Sequence, residues 1–331
     1  MPDEIIISGK QEFALRDCQD APLMANEVRG TTLVTLISQG TELGWANGDT
    51  FPIRPGYASI FTVNQIGDGV SGIRLGERRF AMGPHRSTQT HLVDFTLPVP
   101  DGLASDVAVI ARLMGVSMTT LMTTKARAGD RVIVSGAGPV GFLAAHQFQL
   151  AGYRVTVIDP DPLRRKQIAE SGIKDCRADM PFQDTNLLGK VALFVDCSGH
   201  EGAVIAGCQM LRRGGEAVLV GVPWQKLTDH SAHEVMRAVF FNLISLRSGW
   251  EWELPVKESD FLWEELLEGY NNASHSIMGG FERALDWLAE GKIPVDGLIH
   301  HASPSDPSAI YSDIAARRIL EPFIVLDWAN H

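Results

Sequence analysis

Apolar and polar positions along the chain change their rhythm near residue 130. Up to about residue 120 the apolar residues come in short runs, such as Thr32-Leu33-Val34-Thr35-Leu36-Ile37 and Ser59-Ile60-Phe61-Thr62-Val63, broken by Gly and Pro. β-Branched runs between such breakers predict strands of a small, irregular β domain. From Arg131, short and wholly apolar strands alternate with helical patterns, the texture of a parallel sheet covered on both faces. The pattern predicts strands at Arg131 to Ser135, Arg154 to Asp159, Val191 to Asp196, Glu216 to Gly221 and Leu243 to Ser248. Between them Pro139 to Leu150 and Ala203 to Leu211 read as helices, the second running into a Gly214-Gly215 stop. After Trp250 the alternation fades; Phe281 to Glu290 reads as an amphipathic helix ended by Gly291. Phe323-Ile324-Val325-Leu326 reads as a strand returning to the first domain. The predicted division is 1–120, 121–250 and 251–331, in the α/β class.

Composition narrows the classes of function. The 331 residues are 45% hydrophobic and 21% charged, enough to bury a core in about two domains and unlike a disordered chain. Lys and Arg number 29 against 40 Asp and Glu, a formal charge of -11, and the scattered basic residues predict no nucleic-acid partner. The longest apolar runs, such as Val191-Ala192-Leu193-Phe194-Val195, stop far short of the ~20 residues of a membrane-spanning helix, so no membrane partner is expected. Asp3 and Glu4 precede Ile5-Ile6-Ile7, which ends at once in Ser8-Gly9-Lys10; this reads as a first strand in a cytoplasmic protein. Cys18, Cys176, Cys197 and Cys208 stand far apart with no Cys-x-x-Cys pair, which points to reduced thiols rather than a disulfide framework or zinc ribbon.

One motif carries chemistry on its own. Gly136-Ala137-Gly138-Pro139-Val140-Gly141 follows an apolar strand, opens a helix, and has an acid, Asp159, at the end of the next strand. That context makes it a dinucleotide-binding fingerprint. Gly136 is expected to make the tight turn, Gly138 to let backbone approach the pyrophosphate, and Gly141 to let helix and strand pack closely. The pyrophosphate would sit on the helix N-terminus, where free N–H groups and the dipole favour an anion. Asp159 is placed to bond an adenine-ribose diol and repel a 2′-phosphate, so NAD is expected, with NADP possible because Arg164 and Arg165 lie just beyond. The competing reading has Asp159 capping the helix that begins near Pro162.

With these pieces in order, the chain resembles the medium-chain dehydrogenase/reductase superfamily over nearly its whole length. The matching pieces are Ala128-Gly129-Asp130-Arg131-Val132-Ile133-Val134, the glycine motif, Asp196-Cys197-Ser198-Gly199, the stretch from Leu211-Arg212-Arg213-Gly214-Gly215 to Gly221, and Gly297-Leu298-Ile299-His300-His301. The resemblance implies an N-terminal GroES-like β domain, an inserted Rossmann domain with a doubly wound parallel sheet, and a C-terminal return, with an active-site cleft between the domains. It places Ser198-Gly199 and Gly221-Val222-Pro223 in strand-end loops lining the cofactor crevice. A small-molecule substrate and a homodimer are expected.

Many relatives hold catalytic zinc with a Cys in the first domain, a Gly-His-Glu motif and a further Cys, Asp or Glu. Here Ser38 stands for the Cys, Tyr57 and Ala58 for the His and Glu, and the third position falls near Arg112-Leu113-Met114-Gly115. A serine, a tyrosine and an apolar residue do not supply the thiolate, imidazole or carboxylate ligands that zinc takes, so no zinc is expected. The Ser-x-Gly-Thr-Glu and Pro-Gly-Tyr pieces resemble a branch that includes bacteriochlorophyllide dehydrogenases and polyol dehydrogenase-like proteins. His230-Ser231-Ala232-His233-Glu234 could set two imidazoles on one helix face, but a solvated face is the expected role.

Without a metal, a side-chain donor must stabilise or protonate the substrate oxygen while hydride moves to or from the nicotinamide. The candidates are Tyr57 as hydrogen-bond donor, His85 in Gly83-Pro84-His85 as proton relay, and Ser38 with Thr41 and Glu42 nearby, Glu42 holding the loop. The competing roles are ring packing for Tyr57 and a satisfied loop carbonyl for His85. By the resemblance Trp45, Trp224, Trp250 and Trp252 approach the cleft, where aromatic walls suit a sugar face or planar ring. The expected activity is zinc-independent, NAD(P)-dependent interconversion of a secondary alcohol and a ketone. The alternatives are a quinone or enoyl reductase, and a dinucleotide-binding protein without catalysis.

Overall fold

The computed structural model describes residues 1–258, 275–329 and 331. Two compact units divide the chain: Met1–Arg112 with Glu282–Gly291 and Val295–His331, and Leu113–Phe281 with Lys292–Pro294.

The first unit is built on antiparallel pairing. Its strands are β1 (Asp3–Gly9), β2 (Glu12–Asp17), β3 (Glu27–Ile37), β4 (Ser59–Ile66), β5 (Arg78–Ala81), β6 (Thr88–Leu92) and β7 (Thr96–Pro98). β1 and β2 form a hairpin, while β3, β4, β5 and β7 lie in that order in a larger sheet, with β6 also paired to β3. The C-terminal segment closes this sheet, as its apolar run predicts: β15 (Phe323–Asp327) lies antiparallel on β3, with Ile324 opposite Ile37 and Leu326 opposite Thr35, and β14 (Ile299–Ala302) beyond it. Ile5, Ile7, Phe13, Ile37, Tyr311, Ile324 and Leu326 meet in one buried cluster.

The second unit holds six parallel strands, β8 (Arg131–Ser135), β9 (Arg154–Ile158), β10 (Cys176–Arg177), β11 (Val191–Asp196), β12 (Leu211–Leu219) and β13 (Ser245–Ser248). Their order, β10-β9-β8-β11-β12-β13, is the doubly wound order that reverses direction between β8 and β11. Both faces of β11 are buried along its whole length, which is why Val191 to Val195 reads as an unbroken apolar run.

Three expectations shift. The units part at Arg112, inside the helix Ala111–Thr123, and the return begins at Glu282 rather than 251, because Phe281 packs within the second unit against Gly115, where an added Cβ would lie 2.1 Å from its ring. β12 begins at Leu211, directly after the helix Glu201–Met210, and passes through Gly214 at positive φ instead of stopping there. Finally, Ser105–Thr123 has the length and hydropathy of a membrane span, which no sequence run announced; 67% of its most apolar window is buried inside the protein, as in a core helix.

Candidate functional site

The β8–helix turn has the geometry of the fingerprint. Gly136 takes φ +90°, and a Cβ on Gly141 would sit 1.7 Å from the Gly136 carbonyl oxygen, so strand and helix touch there. Gly138 caps the helix Pro139–Leu150, and a Cβ placed on it would meet nothing nearer than the Arg164 guanidinium at 3.8 Å. The turn is therefore closed toward the protein and open at Gly138, where the first helical N–H groups, including those of Val140 and Gly141, have no acceptor within the helix. This cradle fits a dinucleotide pyrophosphate.

Asp159 is 2% exposed and anchors the same turn. Its Oδ2 accepts the Ala137 N–H at 2.6 Å, its Oδ1 accepts the Asp161 N–H at 2.8 Å, and Arg164 Nη1 lies 3.8 Å from Oδ2. The helix Pro162–Glu170 is capped by Asp161, which accepts from Leu163 N–H, so the capping reading of Asp159 is corrected. Arg165 turns away and bonds the carbonyls of Asp159 and Pro160. At the end of β11, Asp196 accepts from Ser198 Oγ at 2.6 Å and from Gly199 N–H at 3.0 Å, and burial pushes its carboxyl above the usual range. A Cβ on Gly199 would sit 2.7 Å from the Val222 carbonyl oxygen, so the Ser198-Gly199 and Gly221-Val222 turns touch, with Val222 and Pro223 exposed.

The second cluster lies in the first unit, and sheet register builds it. Thr35 of β3 faces Ser59 of β4, and Ser59 faces Ala81 of β5. Ser38, Tyr57 and His85, far apart in sequence, therefore leave the sheet from one end. Tyr57 Oη donates to Ser38 Oγ in a short contact and lies 3.5 Å from Thr41 Oγ1. Ser38 precedes the helix Gln39–Ala46 without using its hydroxyl as a cap, which leaves that oxygen for Tyr57. Arg112 stacks its guanidinium 4.4 Å from the centroid of the Tyr57 ring, and its Nε donates to the Tyr57 carbonyl at 3.1 Å. Trp45 meets the same ring edge-on, centroids 6.1 Å apart. Burial pushes the Tyr57 phenol up from its usual value; Arg112 and the hydroxyls of Ser38 and Thr41 oppose the rise, while Glu42 adds to it.

Behind this pair lies a fully buried polar chain. Glu42 and His85 are both 0% exposed, with His85 Nε2 3.0 Å from Glu42 Oε2. Glu42 also accepts the Ser38 N–H at 2.8 Å and the Tyr311 hydroxyl in a short contact. Trp328 Nε1, a pure donor, gives its hydrogen to Thr35 Oγ1 at 2.9 Å, and Thr35 Oγ1 lies 2.7 Å from His85 Nδ1. A carboxylate only accepts, so His85 Nε2 points its hydrogen at Glu42, and Thr35 Oγ1 closes the chain at Nδ1. Buried between Thr35 and Glu42, His85 bonds the carboxylate that holds Ser38 and makes no hydrogen bond to Tyr57 in this network.

Ser38, Thr41, Tyr57, Glu42 and His85 thus gather in one unit, and the glycine turn, Asp159, Arg164, Ser198, Gly199, Gly221, Val222 and Pro223 belong to the other. His230 precedes the helix Ala232–Asn242 and pairs with Glu234 at 2.8 Å, so His230 and His233 do not share a helix face. Trp224, Trp250 and Trp252 are exposed. Sequence reasoning missed Thr35, Tyr311, Trp328 and the role of Arg112; a lone cation inside the apolar run Val107 to Met114 was the available signal for the last.

The donors around Tyr57 are hydroxyls, with a guanidinium beside them, and Glu42 and His85 are committed to each other. Among the described residues no group of three or more His, Cys, Asp or Glu side chains gathers to hold a metal. This set does not fit zinc.

A β-rich unit and a doubly wound unit opening on a glycine turn have the fold of the medium-chain alcohol dehydrogenases. Acetophenone reductase from Geotrichum candidum NBRC 4597 in complex with NAD superposes with a TM-score of 0.80 over 100% of this chain and 98% of its own, at 12% identity. In sequence, the L-galactonate-5-dehydrogenase of Escherichia coli strain K12 is 24% identical over 213 residues, 62% of this chain and 53% of its own length. The putative D-xylulose reductase of Agrobacterium fabrum is 25% identical over 302 residues, 87% of this chain and 76% of its own. The chain thus spans about half the length of the first of these relatives. No protein-family model matches the sequence.

Proposed function

We propose that this chain is a nicotinamide-dependent oxidoreductase that interconverts a secondary alcohol of the sugar or polyol kind and its ketone, with NAD(H) as the preferred cofactor and no zinc. The observation that carries the reading is the Tyr57 hydroxyl, held on Ser38 and backed by Arg112, at a position where the resemblance puts a metal ligand. The glycine cradle and Asp159 support the dinucleotide, and the names of the sequence relatives support the substrate class. A bound nicotinamide supplies the hydride acceptor or donor. Tyr57 gives its proton to the carbonyl oxygen in reduction and takes it back in oxidation; Ser38 orients the phenol; Glu42 and His85 fix Ser38 from behind.

Purified protein, incubated with NAD+ and xylitol, sorbitol, L-galactonate or secondary alcohols with aromatic rings, is expected to form NADH. Tyr57→Phe keeps the ring and removes the hydroxyl, and a preorganised donor is worth on the order of 3 kcal/mol, so kcat should fall roughly a hundredfold with NADH affinity intact. Turnover of enones or quinones in place of these alcohols would overturn the substrate reading. Stoichiometric zinc whose removal by chelator abolishes turnover would overturn the metal-free one.

A further inference from the structure

We infer that Arg112 is the fixed cation of the catalytic cluster: stacked on the Tyr57 ring and bonded to the Tyr57 carbonyl, it holds the phenol in place and stabilises negative charge on its oxygen as the proton leaves and returns. The inference rests on the reading of Tyr57 as proton donor and acceptor, and it assigns a positioning residue that neither the motifs nor the relatives' names point to.

The geometry has two parts. The Nε contact at 3.1 Å ties Arg112 to the backbone of the very residue whose ring it covers, so the guanidinium plane and the phenol move together. Arg112 is itself only 4% exposed, so water screens its charge little. A guanidinium is a permanent cation that stacks on aromatic faces, which a metal-ligating side chain at this position would not do.

The chemistry needs such a charge. In oxidation the substrate C–H bond breaks and its hydride goes to the oxidised nicotinamide, the O–H bond breaks and its proton goes to the Tyr57 oxygen, and the ketone leaves; reduction reverses each transfer. The phenol must therefore spend part of each cycle as a phenolate in a largely buried place. The groups facing it are the Ser38 and Thr41 hydroxyls and the Glu42 carboxylate from the Gln39–Ala46 segment, the neutral Trp45 ring, and Arg112. Burial and Glu42 both disfavour the phenolate, and the Arg112 guanidinium opposes them. An opposite charge within roughly 4–6 Å changes proton affinity by about tenfold or more.

The test does not depend on the substrate. 3,5-Difluorotyrosine, incorporated at position 57 of the full chain, titrates near neutrality, and fluorine NMR follows its ionisation. The expected result is that Arg112→Gln weakens the acid by at least about tenfold, while Arg112→Lys, which keeps the charge, recovers part of the effect. Arg112→Met checks that the result follows charge rather than the amide of glutamine, and the fluorine signal reports for each variant that the site is folded. Identical titration midpoints in the wild-type, Gln and Met backgrounds would overturn the inference. Because this readout is separate from turnover, a shifted midpoint together with an active Tyr57→Phe enzyme would overturn the catalytic reading of Tyr57 while leaving the electrostatic pairing in place.

Discussion

Removing the Glu42 carboxylate should loosen the first unit by an amount that depends on how many donors are left without an acceptor. Glu42 is fully buried and takes three hydrogens, from Ser38 N–H, His85 Nε2 and the Tyr311 hydroxyl. Glu42→Leu fills similar space and strands all three. Each stranded buried donor costs about 1–3 kcal/mol, and the Tyr311 hydroxyl can rotate, so a loss of about 4 kcal/mol is expected. Glu42→Gln is milder for a reason visible in the geometry. Its amide oxygen can keep the Ser38 N–H while its NH2 faces His85 Nε2 and Tyr311 Oη, provided the His85 hydrogen moves to Nδ1 and points at Thr35. Thr35 Oγ1 then accepts from both His85 and Trp328 and swings its own hydrogen aside, at an expected cost of about 1–2 kcal/mol. Urea unfolding gives the two losses, and amide hydrogen exchange at Ser38 shows whether the opening is local to this loop. A Leu variant as stable as wild type, with Ser38 still protected, would refute the claim that this carboxylate organises the cluster.

Asp159→Ser should narrow the preference for NADH over NADPH by about tenfold or more, since it removes a charge that opposes a 2′-phosphate beside Arg164; equal NADPH binding by wild type in fluorescence titration would contradict this. Burial lowers the His146 pKa from 6.5 to about 4 while its Nε2 bonds Ser171 Oγ at 2.9 Å. The unfolded chain therefore binds the extra proton first as pH falls, so this stability is present above 6.5 and is lost toward 4, on the order of 3 kcal/mol in all. His146→Leu should flatten the pH dependence of unfolding in that window, and an unchanged slope would show that other groups govern it.

Much of the doubly wound unit was legible because a parallel sheet buried on both faces forces wholly apolar strands, and Val132 to Val134 and Val191 to Val195 carry that mark. Leu211-Arg212-Arg213-Gly214-Gly215 carried no such mark. Its polar and glycine positions read as a turn, whereas the register shift opposite Val191 to Leu193 lets them run on as strand. Residues of the first-unit site were legible singly but not as a set. Ser38 and Tyr57 meet only because β3 and β4 pair with Thr35 opposite Ser59, and Tyr311 and Trp328 join them only through the return of β15. A chemical motif compressed into six residues survives in sequence; one assembled by strand register does not. His85 shows the difference, since nothing in a Gly-Pro-His turn says that the sheet closes over the imidazole and seats it against Glu42.

The two layers of the cluster answer different physical demands. A buried carboxylate is tolerable only when donors surround it, and Glu42 has three, drawn from the loop, the sheet end and the C-terminal helix Pro307–Ala315. That layer makes Ser38 rigid, but its negative charge also works against ionising Tyr57. The proton exchange proposed for Tyr57 then needs a positive charge beside the ring. A divalent metal would meet that need by binding the oxygen itself; a guanidinium stacked on the ring acts through the ring face, while the hydroxyl stays on Ser38. In the proposed metal-free reading, Ser38 and Tyr57 at the positions of metal ligands are thus only half of the site, and Arg112 is the other half.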